Sequence, residues 1–247
     1  MKPADYQVFC ISHDDERYQA FLERLPEVFD RTKVTRIIVT PETSPPPPEW
    51  WCGGAVQWAI VCAHLQCWKL AEADGKHALV FEHDAVFHPD FAARFHDFIN
   101  HLPKDTDQAY LGGQLLFQEH REPLRMKRNS HVLEPLNVHR THAYLTLNRA
   151  LRRVMDFVEE PFWNCSQTID HRLLYIQMRQ DFHVYIPSTG WMCGQGEGVS
   201  APENTVWFER WWPWTDAGKR EEAEREREFR ERWLRENAEK FTGETEA

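Results

Sequence analysis

Residues 55–82 constrain the fold more than any other stretch of the chain. "AVQWAIVCAHLQCWKLAEADGK" (55–76) is apolar around most of its circumference, is too long for a strand and ends near Gly75, so it reads as a buried helix. Ala78, Leu79, Val80 and Phe81 follow as an unbroken apolar run of strand length, which also has to be buried. Such elements fit a layered α/β structure, in which helices cover the faces of a sheet. The run then stops at Glu82, His83 and Asp84 before Ala, Val and Phe resume. Three polar side chains there are costly unless they lie at an edge, hold a cation or do chemistry.

The flanking sequence supports the same class. "YQVFCIS" (6–12) reads as a strand, "DDERYQAFLERLPEVF" as an amphipathic helix with acidic residues at its start, and "VTRIIVT" (34–40) as a second strand. This is a βαβ opening. The proline-rich "PETSPPPPEWW" reads as a surface loop, since the apolar pattern resumes directly after it. Downstream, "FHPDFAARFHDFINHL", "RALRRVMDFVEE" and "IDHRLLYIQMRQ" are expected helices. "QAYLGGQLLF" (108–117) and "FHVYIPS" are expected strands, with short strands between 126 and 148. The expected architecture is α/β: one domain over 1–215 with a mostly parallel central sheet flanked by helices. A charged helix and tail rich in Glu and Arg would follow over 216–247, packing through Phe229, Trp233 and Leu234.

A formal net charge of −10 weighs against broad binding to a polyanion, though not against a local basic groove such as Arg121, Arg125, Lys127 and Arg128. The six cysteines form neither a C-x-x-C pair nor a zinc-finger spacing, which suits reduced structural thiols. Residues 1–12 have no apolar core of signal-peptide length, and no window reaches the roughly 18 apolar residues of a membrane span. A cytoplasmic location is expected.

Ligands of open α/β sheets gather at the carboxyl ends of strands, and Glu82-His83-Asp84 stands at such an end. Alternation directs residues 82 and 84 to one side and 83 to the other. Two carboxylates together suit Mg²⁺ or Mn²⁺; the competing role is a strand-end cap paired with Arg94 or Lys76.

"CAHLQCWKLAEADGKHALVFEHDAVFHPDF" resembles glycosyltransferase family 25, the lipopolysaccharide-type and β-1,4-galactosyltransferase-like enzymes, in which such a helix precedes a strand ending in Glu-Asp-Asp. "VFCISHDDERYQAFLERL", "DQAYLGGQ", "RTHAYLTLNRALRRVM", "TIDHRLL" and "IPSTGWMCGQGEGVS" resemble further family segments, in the family's order, over roughly residues 6 to 200. The resemblance implies a GT-A type fold, a nucleotide-sugar donor such as a UDP-sugar, and a divalent cation, Mn²⁺ or Mg²⁺. Asp84 would ligate that cation with Glu82 in support. The family's central Asp is His83 here, expected beside the donor without ligating the metal. Asp14 and Arg17 would lie near the nucleotide, with His64 in the position of the family's Ser-His histidine. Gly112 and Gly113 would admit the donor to the backbone, or form a strand bulge, and Gln114 would bind a sugar hydroxyl. Asp170 would be the base that takes the acceptor proton, with a helix cap as its ordinary role and His171 in reserve. Gln195 begins a glycine-rich segment that would close over the donor. Trp207 and Trp211 would stack on an acceptor sugar, or pack the tail. The acceptor would be a glycan, or in a variant a modified DNA base.

Two other readings remain open from sequence: a metal-dependent hydrolase built on His83, Asp84 and His88, and a catalytically silent nucleotide-sugar or carbohydrate-binding relative.

Overall fold

The structure is a computed structural model that describes residues 5–113, 126–127, 129–135, 138–161, 168–179 and 181–196. The chain opens with β1 (Tyr6–Ile11), α1 (Asp15–Arg24) and β2 (Thr35–Ile37), then α2 (Ala55–Ala73) and β3 (His77–Glu82). A short β4 (Ala85–Phe87) and α3 (Phe91–His101) lead to β5 (Gln108–Tyr110), β6 (Met126–Lys127), β7 (Val132–Glu134) and β8 (Ala143–Thr146). Helices α4 (Asn148–Glu159) and α5 (Ile169–Gln177) precede β9 (Val184–Pro187) and β10 (Cys193–Gln195).

Among the described residues the sheet has eight strands in the order β2-β1-β3-β8-β5-β9-β7-β6, and β4 and β10 form a separate antiparallel pair. Strands β1, β2 and β3 are mutually parallel, as are β5 and β9; β8 is reversed between β3 and β5, and β7 is reversed between β9 and β6. The sheet is therefore mostly parallel in strand direction, with one antiparallel strand at its centre.

Burial follows the pleat of β3. Ala78 and Val80 pack into a core with Trp58, Val61, Trp68, Leu151, Val154 and Leu173 of α2, α4 and α5. Leu79 and Phe81 pack into the opposite core with Phe21, Phe91, Phe95 and Phe98 of α1 and α3. The apolar run in the sequence is thus a strand buried on both faces. Helix α1 is capped by Asp14, whose carboxylate accepts from Arg17 N at 2.8 Å. Helix α2 ends where Gly75 adopts φ +65°, with Lys76 N donating to Ala71 O at 2.9 Å. The expected strand over 34–40 is shorter, Thr35–Ile37; of the one expected over 108–117, Gln108–Tyr110 is strand, 111–113 is not, and 114–117 lies outside the described residues. The helix and tail expected over 216–247 lie outside the described residues.

Candidate functional site

The reversed strand decides what stands beside Glu82. Because β8 runs opposite to β3, the segment entering β8 reaches the carboxyl end of β3. Glu82 N donates to His142 O at 3.0 Å, and Thr141 Oγ1 donates to Glu82 Oε1 at 2.5 Å. On the core side, His64 of α2 is fully buried; its Nδ1 lies 2.7 Å from Tyr144 OH and its Nε2 3.6 Å from Glu82 Oε1. Burial alone would push the Glu82 carboxyl up, but His64 and the Thr141 hydroxyl outweigh it and hold Glu82 below its ordinary value.

Glu82 opens into a cleft of about 150 Å³. Gln57 and Ile60 of α2 form one wall, Arg140 and Thr141 another, and the start of α5, with Thr168, Ile169 and Asp170, a third; Gln195 at the end of β10 closes it. Three residues named from sequence, Glu82, Asp170 and Gln195, therefore share one cleft. The first turns of α2 and α5 both border it, so the positive ends of two helix dipoles stand at its rim.

Asp84 lies behind Gln195, whose Nε2 donates to Asp84 Oδ2 at 3.0 Å. Asp84 Oδ1 is buried with no hydrogen-bond partner among the described residues. Burial, then the charge of Glu82, pushes the Asp84 carboxyl up to about 7. Two neighbouring carboxylates that resist joint ionisation, one with an orphaned oxygen, fit a divalent cation held by oxygen ligands.

The opposite wall holds Asp170, with its Oδ2 2.9 Å from His139 Nε2. Burial opposes ionisation of Asp170, but His139, Thr168 and His171 hold its carboxyl far below the ordinary range. His171 Nδ1 lies 2.5 Å from Thr168 Oγ1, and burial lowers the His171 pKa. Residues His139, Asp170 and His171 bring three potential ligand atoms within 4.8 Å of one another. Arg140, next to His139 in the chain, adopts φ +82°, the one described non-glycine residue at positive φ, and its Nη1 reaches Gln195 Oε1 at 3.4 Å. A left-handed conformation in a long side chain is strained and is held only when its surroundings demand it. His139 is not among the residues named from sequence, and Arg140 and Thr141 open the quoted segment "RTHAYLTLNRALRRVM" with no site role assigned to them. For His139 the one local signal is its position just before that segment.

The remaining sequence-named residues fall as follows. His83 faces away from the cleft: its Nε2 is 3.2 Å from Arg17 Nη1, and Arg24 Nη2 donates to His83 O at 2.9 Å. Burial and then Arg17 lower the His83 pKa, so the ring is neutral near pH 7. Asp14 is the α1 cap. His64 reaches the cleft only through Glu82. Gly112 and Gly113 are close-approach positions for the protein itself. A methyl group on Gly112 would overlap the Cys193 carbonyl oxygen and lie 2.5 Å from His142 Nε2; one on Gly113 would overlap Val138 Cγ1. Gln114, Trp207 and Trp211 lie outside the described residues.

No protein-family model and no curated protein matches the chain. Among solved structures, the crystal structure of A197 from STIV is similar over 79% of this chain and 86% of that one, at 11% sequence identity and a TM-score of 0.40. A likeness at that level establishes neither family nor activity. No helix among the described residues is long and apolar enough to cross a membrane.

Proposed function

We propose that the chain is a metal-dependent glycosyltransferase of GT-A type that moves a sugar from a UDP-sugar, or another nucleotide sugar, to a hydroxyl acceptor with inversion. The observation that carries this reading is the cleft at the end of β3, which Glu82 and Asp170 both line, with Asp84 hydrogen-bonded to the lining residue Gln195. Mn²⁺ or Mg²⁺ held by Asp84 and Glu82 would neutralise charge on the leaving diphosphate. Arg140 and the first turns of α2 and α5 supply further positive potential for the same oxygens. Thr141 and His64 fix the Glu82 carboxylate, and Gln195 orients Asp84.

Proton removal from the acceptor falls to the Asp170 wall. A carboxylate held as low as Asp170 is a weak proton acceptor, while His171 is neutral near pH 7 and can accept a proton there. His171 is accordingly the base; Thr168 Oγ1 holds its Nδ1, and the Asp170 carboxylate, with Oδ1 3.8 Å from that nitrogen, stabilises the imidazolium that forms. The hydrolase arrangement is less well supported: His83 faces Arg17, and His88 Nδ1 accepts from Asp90 N at 3.0 Å, so the two rings are engaged apart from Asp84.

Release of nucleoside diphosphate from a panel of nucleotide sugars, with and without candidate hydroxyl acceptors, tests the proposal. Wild type should turn over one donor only with Mn²⁺ or Mg²⁺, and Asp84→Asn should not. A pH–rate limb in the histidine range assigns the base to His171, and a limb in the carboxylate range returns it to Asp170. Phosphoester hydrolysis with no sugar transfer would overturn the reading.

A further inference from the structure

We propose that Asp97, His101 and His131 form a second metal site, separate from the cleft and selective for a transition-metal ion such as Zn²⁺. Asp97 and His101 are spaced i,i+4 on α3, so they share one face of the helix. His131 joins them from the loop entering β7. His131 Nδ1 lies 2.6 Å from Asp97 Oδ2, His101 Nδ1 lies 3.3 Å from Asp97 Oδ1, and the three ligand atoms are all within 4.8 Å of one another. Ligand bonds of about 2.0–2.2 Å in a tetrahedral zinc centre place donor atoms roughly 3.3–3.6 Å apart. The side chains therefore need to move only on the order of an ångström to take up that geometry.

The two imidazoles are stacked, with ring centroids 3.6 Å apart and planes 8° from parallel, and both present Nδ1 to the same carboxylate. The backbone beneath them is already fixed. Asn129 Oδ1 accepts from His131 N at 2.8 Å and from Val132 N at 2.9 Å, while Asn129 Nδ2 donates to His101 O at 3.1 Å. Ser188 N donates to His131 O at 2.9 Å. On metal binding, His101 Nδ1 gives up its 2.8 Å contact with Asp97 O.

Two imidazoles and one carboxylate favour zinc over the magnesium that suits an all-oxygen pair such as Glu82 and Asp84. Three protein ligands leave a fourth position for water. A bound ion would tie the last turn of α3 to β7, which pairs with β9 at only two positions, Val132 with Pro187 and Leu133 with Ile186. None of the three residues lines the cleft, so this site stands or falls independently of the proposed transferase activity.

The test is equilibrium dialysis of the untagged full chain against Zn²⁺ at neutral pH, followed by thermal denaturation. The expected result is that His101→Ala and His131→Ala each lose one zinc equivalent per chain and lose the zinc-dependent rise in Tm. Both positions are partly exposed, which favours retention of the fold, and circular dichroism checks it. His171→Ala, which disrupts the other three-ligand group, should keep that zinc. Equal zinc content in wild type and both variants overturns the proposal, as does loss in His171→Ala alone. Should a variant fail to fold, histidine-ring NMR of wild type decides: zinc should shift His101 and His131, and no shift at either overturns the site.

Discussion

Replacing Gly112 by alanine tests how the sheet and the cleft are joined. The new methyl group would overlap the Cys193 carbonyl oxygen and lie 2.9 Å from the Cys193 carbonyl carbon and 2.5 Å from His142 Nε2. A backbone carbonyl cannot rotate away as a side chain can, and Cys193 N is itself held by Leu111 O at 3.0 Å. The strain must therefore move β10 or the segment leaving β5. Overpacking of this kind costs about 1–3 kcal/mol, and the backbone contact places Gly112→Ala near the upper end. At roughly 2–4 °C per kcal/mol for a chain of this size, Tm should fall by about 6–12 °C. Because β10 carries Gln195, the 3.0 Å bond to Asp84 should weaken as well, and metal-dependent nucleotide binding should fall with it. Gly54→Ala is the control: the nearest atom to its new methyl group is the mobile Gln57 Oε1 at 2.8 Å, and the cost should stay under about 1 kcal/mol even with poorer capping of α2. Thermal unfolding followed by circular dichroism reads both. A Gly112→Ala protein that melts with or above Gly54→Ala would refute the close-packing explanation.

Arg172 is 1% exposed; its Nη1 donates to Val158 O at 2.8 Å and Glu160 O at 3.0 Å at the end of α4, and its guanidinium lies 4.6 Å from the Trp50 ring. Arg172→Met should keep the stem volume but orphan those carbonyls, lowering unfolding free energy by about 2–4 kcal/mol in urea titrations. Tyr144→Phe removes the hydroxyl 2.7 Å from His64 Nδ1, and should cost about 1–2 kcal/mol by the same measurement. For Asp84, a folded value of about 7 against 3.8 unfolded means the native state binds the extra proton between those limits. In EDTA, wild-type stability should fall as pH rises through that window and level off above it. Asp84→Asn should flatten the dependence and be the more stable protein above neutrality, as read by urea midpoints against pH.

The sequence made the long elements legible because their burial is written locally. The apolar 55–76 helix, the run at 78–81 and the amphipathic "RALRRVMDF" each carry their own periodicity, and they form α2, β3 and α4. The end of β3 was legible too, since an acid pair directly after a buried strand has few uses. What was hidden depends on pairing direction. Nothing in "HAYLTL" says that β8 runs against β3, yet that reversal brings Thr141 and His142 to Glu82 and sets His139 and Arg140 at the same end of the sheet. Arg140 at positive φ is invisible in a sequence, because only glycine advertises that conformation. Gly112 and Gly113 read as close-approach residues, but the partner that approaches, Cys193 or Val138, lies far along the chain. The resemblance places His64 beside the donor. It is a core residue by burial and touches the cleft only through Glu82.

The most direct test of the proposed donor cleft is calorimetric titration of UDP and UDP-sugars into wild type and Asp84→Ala, in Mn²⁺ and in EDTA. The prediction is binding by wild type that requires the metal and is lost in Asp84→Ala, with circular dichroism showing the variant folded. Binding indifferent to both EDTA and the substitution, or no binding of any nucleotide with the metal present, would contradict it.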